Sequence, residues 1–153
     1  MRFVVEDSFN YKGYPCVCVF QKMGYRTGYV GVDKNHPWYQ VDYATDGPDT
    51  VNCHWGLTYS GWPYWTNKDD ETYWYFGFDC SHYGDGNDYE TSRKYGMLSD
   101  NEYLIQKSIY EKYNALEGCT IKDVEFIRDN CKLIAEQLEV IQNGGTIKVV
   151  GEE

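Results

Sequence analysis

The sequence predicts an α+β domain in which an antiparallel, bent sheet from the amino-terminal half carries two carboxy-terminal helices on one face. Three observations lead there. Short runs of β-branched and aromatic residues, punctuated by Gly and Pro, fill the first 80 or so positions. Ser99-Asp100-Asn101-Glu102 then has the spacing of a capping box. Finally, Val124, Ile127, Cys131, Ile134, Leu138 and Ile141 recur at steps of three and four, an apolar stripe that must cover something. A chain of 153 residues builds one core, so a single domain spans 1–153, with strands and loops over 1–85, helices over 99–142 and an edge strand over 146–150.

The elements follow in order. Met1 to Val5 is a short strand, and Lys12-Gly13-Tyr14-Pro15 turns the chain into Cys16-Val17-Cys18-Val19-Phe20, whose apolar run suits a central strand. A turn at Met23 to Arg26 leads to Thr27-Gly28-Tyr29-Val30-Gly31-Val32, where alternating glycine marks a bend or the close approach of another backbone. Asp33 to Asp49 is a long polar loop with Trp38, Tyr39 and Tyr43 embedded in it, a packed or functional loop rather than a tether. Val51 to Gly61 is a strand broken at Gly56, and Thr72 to Phe78 is a buried strand. Ser99 opens a helix through about Leu116 with Gly118 as its stop, and Thr120-Ile121-Lys122-Asp123 is a second box opening the striped helix, which Asn143-Gly144-Gly145 ends. The stripe covers the sheet, or, by its heptad spacing, forms the seam of a homodimer.

Composition limits the chemistry. A net charge of −10 and a sequence pI near 4.7 disfavour direct binding to a phosphate backbone, because the cationic footprint is missing. The same charge attracts basic partners. No apolar run reaches transmembrane length and the first residues turn acidic before a signal-peptide core could form, so the expected place is the cytoplasm. In that compartment the six cysteines are expected to be reduced and mostly buried. Sixteen tyrosines and five tryptophans exceed what a small core needs and favour a ligand- or partner-binding surface.

Candidate chemistry centres on the end of the buried strand, where Asp79, Cys80, His82 and Asp85 follow one another, together with His54. Carboxylates and imidazoles in one place can bind a divalent metal and activate water. Asp79 is the best member, since a carboxylate leaving a buried strand must be paired, ligated or hydrogen-bonded; it serves equally well as the cap of the next turn. Cys53, His54, Cys80 and His82 would make a zinc set, although no Cys-x2-Cys knuckle is present. Cys80 beside an imidazole would be a nucleophile if its pKa were lowered, and an inert buried thiol otherwise. Walker, dinucleotide-binding and Gly-x-Ser-x-Gly motifs are absent, which sets aside the familiar nucleotide enzymes and serine hydrolases. Asp69, Asp70 and Glu71 form a local acidic patch.

His54-x-Gly56-Leu57-Thr58-Tyr59-Ser60-Gly61, joined to Trp74-x-x-Gly77-Phe78-Asp79-Cys80-x-His82-x-Gly84-Asp85, resembles a family of small phage- and prophage-encoded proteins. Gly13-Tyr14-Pro15-Cys16, Gly28-Tyr29-Val30-Gly31 and the closing helix with Cys131, Gln137 and Leu138 extend the resemblance over most of the chain. Where members of that family usually read His-Gly-Gly, this chain has His54-Trp55-Gly56. The resemblance implies context: an accessory protein that antagonises host defence inside a bacterial cell. The first expectation is a non-enzymatic inhibitor, an anti-CRISPR protein whose acidic side chains, Asp69, Asp70 and Glu71 among them, compete for a nucleic-acid groove of a host effector. The alternative is a metal-dependent hydrolase or a pocket that binds a nucleotide signal, built on His54, Asp79, His82 and Asp85.

Overall fold

The computed structural model describes residues 2–67, 69–113 and 118–147. Five strands form one antiparallel sheet: β1 (Phe3–Tyr11), β2 (Tyr14–Gln21), β3 (Arg26–Val32), β4 (Tyr59–Gly61) and β5 (Trp74–Asp79), in the order β1-β2-β3-β5-β4. Among the described residues three α-helices follow: α1 (Tyr89–Lys94), α2 (Asp100–Tyr113) and α3 (Val124–Gln142). The α+β architecture is thus the one the sequence predicts.

β1 and β2 are joined by Lys12 and Gly13, both at positive φ, the left-handed pair that a two-residue hairpin needs. β1 runs further than the expected Met1–Val5 strand because its register slips between Val5 and Asp7, leaving Glu6 as a bulge that bends the strand. That bulge meets the buried Arg26 at the start of β3: Nε lies 2.6 Å and Nη2 3.2 Å from the two Glu6 oxygens. Arg26 also donates to Asp88 and to the Lys122 carbonyl, so a single guanidinium joins the sheet edge, the start of α1 and the segment before α3.

Strict alternation on β2, β3 and β5 divides the interior in two. Cys16, Cys18, Val30, Val32, Phe76 and Phe78 face α3 and meet its stripe of Ile127, Cys131, Ile134 and Leu138, all of them buried. Gly28 is why the helix can lie so close: a Cβ there would sit 2.5 Å from the Phe78 ring, 2.8 Å from Ile127 and 2.9 Å from the Cys131 sulfur. The stripe is therefore spent on the sheet rather than on a dimer seam. Val17, Val19, Tyr29 and Tyr75 point the other way and are covered by Phe3, Tyr59, Trp65 and Tyr73. Much of the aromatic excess is consumed here: Tyr29 alone packs against Tyr59, Tyr64 and Trp65, with ring centroids 4.4–5.7 Å away.

Several expectations need correction. Of Val51–Gly61 only Tyr59–Gly61 is strand; Cys53 to Gly56 is a turn closed by the Gly56 amide on the Cys53 carbonyl, with Trp55 and Gly56 at positive φ. Thr120 does not open α3. It pairs with Asp85 in an isolated parallel bridge, and Asp123 caps the helix by accepting from the Phe126 amide at 2.9 Å. The Ser99–Glu102 box forms as expected, each residue bonding the other's backbone amide. Thr91–Lys94 complete α1, which begins at Tyr89 and is capped by Asp88. The expected end of α2 near Leu116 lies outside the described residues, as does 148–150; Thr146 and Ile147 are in no strand. α2 leans on α1, whereas α3 covers β1, β2 and β3.

Gly28→Ala is expected to cost about 2 kcal/mol, since overpacking a core whose neighbours are an aromatic ring and a helix leaves little room to yield. Urea unfolding of the two proteins checks it; an unchanged midpoint would show that α3 can back away.

Candidate functional site

The stretch from Asp79 to Asp85 folds back on itself at the end of β5, and three other segments converge on it. Asp85 is the centre. Its side chain is 1% exposed, and a carboxylate so buried has to be matched. His54 Nε2 lies 2.9 Å from each of its oxygens, the His82 amide donates to Oδ2 at 3.1 Å, and Lys122 Nζ lies 3.2 Å from Oδ1. Because a carboxylate only accepts, the contact places the His54 hydrogen on Nε2. Burial pushes the Asp85 pKa up, but the hydrogen bonds from His54, the His82 amide and Lys122 outweigh it and hold the group below its ordinary value.

His54 is delivered by the Cys53–Gly56 turn, which α3 anchors from outside its apolar stripe. Asn130 Oδ1 accepts the His54 amide at 2.9 Å, and Gln137 bonds both the amide and the carbonyl of Asn52. The Phe126 ring stands edge-on to the imidazole at 5.0 Å. Asn130, Gln137 and Lys122 were not candidates in the sequence, where they read as the solvated side of a helix and its approach. Trp55, in the left-handed region at φ 59, is unusual for so bulky a residue. Its indole stacks on His82, with centroids 5.2 Å apart and planes 16° apart.

The second acid–imidazole pair lies next to the first. His82 Nε2 is 3.0 Å from Asp79 Oδ1, near enough for attraction yet off the line of a hydrogen bond. Asp79 takes its hydrogen bonds from Thr58 Oγ1 at 2.8 Å and from the Ser81 amide at 3.0 Å. The capping role open to Asp79 in the sequence is therefore filled, and the same residue still faces a cleft. The imidazoles of His54 and His82 are 6.4 Å apart, so the five candidate residues form one neighbourhood with a buried half and an open half.

Cys80 belongs to the buried half. Its sulfur, a His54 nitrogen and an Asp85 oxygen lie within 4.8 Å of one another, a set in the ligand chemistry of zinc. The expected Cys53–His54–Cys80–His82 set is replaced by this one, because Cys53 is in a turn and His82 faces Asp79. As they stand, the three residues hold an ion pair rather than an open ligand set: the Lys122 ammonium lies 3.2 Å from Asp85 Oδ1, a positive charge that opposes a second cation beside it. Nor is Cys80 an activated nucleophile. Burial first, and then the charges of Asp85 and Asp79, push its thiol well above the ordinary range. All six cysteines are free, and Cys16, Cys18, Cys80 and Cys131 are buried.

The open half faces a cleft of about 500 Å³ beside β3 and β5. Tyr25, Tyr29 and Tyr59 supply aromatic walls; Gln21, Thr27, Thr58 and Ser81 supply donors and acceptors. Among the described residues, no Lys or Arg lines the cleft. The acidic patch stands apart in chemistry: Asp69 and Glu71 are exposed, while Asp70 is half-buried and accepts from the Thr72 amide. No helix among the described residues is long and apolar enough to cross a membrane. No family model matches the chain, and no curated protein or solved structure is significantly similar to it.

Asp85→Asn is expected to destabilise the fold by about 3 kcal/mol at pH 7, because Lys122 and His54 lose a buried charge partner. The sign of the pH dependence follows from the lowered pKa: the stabilisation is whole above the ordinary carboxylate value of 3.8 and disappears as pH falls through the lower folded value. Denaturant midpoints of both proteins should thus converge only in acid; a gap that persists undiminished there would refute the assignment.

Proposed function

We propose that this is a binding protein that captures a small, polar, ring-bearing molecule in the cleft beside Asp79 and His82. The observation that carries the reading is the cleft itself, within the 300–1,000 Å³ range typical of ligand sites and walled by three tyrosines and a carboxylate. Tyrosine faces suit a planar ring, and the hydroxyl and amide groups around them fix its edges. In the phage context that the resemblance implies, such a cleft suits sequestration of a nucleotide-derived signal held by its base. With no Lys or Arg among the described lining residues to hold them, phosphates would project to solvent. A hydrolase that works through a metal on His54 and Asp85 is less well supported, since Lys122 neutralises that carboxylate.

Calorimetric titration with nucleosides, their 5′-monophosphates and cyclic dinucleotides tests the reading. Binding is expected, and the Asp79→Ala/His82→Ala double variant should weaken it at least about tenfold, the loss of about 1.4 kcal/mol of contact. No binding anywhere in the panel, or undiminished binding by a folded double variant, would defeat it.

A second reading is favoured by a separate observation, the exposure of Asp69 and Glu71 on a chain of charge −10. Here the protein inhibits a host defence effector, as an anti-CRISPR protein does, with carboxylates standing where phosphates would bind. Asp69→Asn/Asp70→Asn/Glu71→Gln should then abolish protection in a phage-challenge assay while leaving cleft binding intact. Full protection by that variant removes the patch from consideration.

A further inference from the structure

α2 is turned the wrong way for a surface helix. Its inner side is held by tyrosines: Tyr103 is buried, bonds Glu90 and lies under the Arg93 guanidinium at 4.5 Å, and Tyr110 meets Tyr89 edge-on at 6.1 Å. Its aliphatic residues point outward instead, with Leu104 60%, Ile105 59% and Ile109 48% exposed. An amphipathic helix ordinarily buries such residues, and here nothing among the described residues covers them. Single exposed aliphatics are commonplace, but these follow a pattern. Glu102, Ile105, Ile109 and Lys112 are spaced three, four and three apart, which places them on one stripe with an acid at its start and a base at its end.

We propose that this stripe is the interface through which two copies of the chain pair, α2 against α2, antiparallel about a two-fold axis. The pattern is self-complementary in that arrangement and in no parallel one. Running the helix against itself in reverse sets Ile105 opposite Ile109 of the second copy, and Glu102 opposite its Lys112, each contact occurring twice by symmetry. A parallel pair would place Glu102 against Glu102. Both charged ends lie at the surface and exchange contacts within their own chain for those of the second copy: Glu102 is half-exposed where it approaches Lys22 at 3.6 Å and accepts from the Ser99 amide, and Lys112 is exposed. Four isoleucines flanked by two ion pairs form a small interface, below the ~1,600 Å² of standard complexes. The net charge of −10 on each copy opposes it further, so the pairing is reversible and concentration-dependent. It also differs from a seam on α3, whose stripe is buried against the sheet.

Sedimentation equilibrium of the full chain, from about 10 μM to about 1 mM to bracket the affinity of a small interface, is the test. A monomer–dimer equilibrium is expected. Ile105→Gln/Ile109→Gln, which alters only exposed positions and so retains the fold by circular dichroism, should raise the dissociation constant at least tenfold. Lys112→Glu should weaken pairing, and Glu102→Lys/Lys112→Glu, in which Ser99 still caps the helix, should restore it. A chain that is monomeric throughout the range, a dimer indifferent to the isoleucine changes, or a swap that fails to restore association in a folded protein would each overturn the proposal.

Discussion

A single buried carboxylate governs how the functional end of this molecule is assembled. Asp85 is withdrawn from water, and leaving it unmatched would cost several kcal/mol. Its partners come from three separate places: His54 from the turn after the long loop, the His82 amide from its own turn, and Lys122 from the approach to α3. None of these segments has regular structure of its own. What makes them rigid is that each supplies part of the compensation for one charge, so moving any of them exposes the others to the full penalty. Asp79 and His82 line the cleft, and the turn that carries them is closed from behind by Asp85, whose own amide returns to the His82 carbonyl.

The sheet imposes a second constraint, and it acts through glycine. Gly28 pairs with Phe78 and Gly77 with Tyr29, so the two glycines sit one step apart across β3 and β5 and face opposite directions. At Gly28 the missing side chain admits Ile127 and Cys131 of α3; at Gly77 it admits the Tyr29 ring. One glycine seats the helix, and the other lets an aromatic ring lie flat on the strand that leads to the cleft. Tyr29 then links the packing of the second sheet face to the cleft wall, since it belongs to both. Its phenol bonds the Tyr64 phenol at 2.6 Å, and burial pushes its pKa far above the ordinary range.

How much of this can be read from the residues depends on how local each cause is. The α3 stripe is legible because a period of 3.6 is written directly in Val124 to Ile141, and the Ser99–Glu102 box because both partners lie within four positions. Asp79 is legible as a residue that needs partners, since it ends an apolar run, and it finds them in Thr58 and Ser81. Asp85 is not legible in the same way: after Tyr83 and Gly84 it reads as one more polar turn residue, and its main partner is 31 positions away. Nor can the pattern show that Lys122 would take the place of a cation beside it, which is what separates a metal set from an ion-paired one. Tyrosine content misleads for a related reason. An amphipathic side chain fits a sheet face under a loop as well as a binding wall, and here Tyr29 and Tyr59 do both while Tyr73 and Tyr75 only pack.

The charge distribution ties the cleft to the surface around it. A protein of net charge −10 surrounds its cleft with a field that repels anions, and among the described residues the cleft lining adds a carboxylate and no Lys or Arg to oppose it. The interior cations are committed elsewhere: Arg26 to Glu6 and Asp88, and Lys122 to Asp85. Any molecule that enters therefore does so for its ring and its hydrogen-bond donors rather than for negative charge. The acidic surface obeys the same rule on a larger scale, since it too gains only from a partner that brings donors or positive charge. The two proposals therefore differ in where a phosphate would stand: in the acidic-surface proposal the protein's carboxylates take its place, whereas in the cleft proposal the ligand's ring and hydrogen-bonding edges are held and no phosphate is contacted.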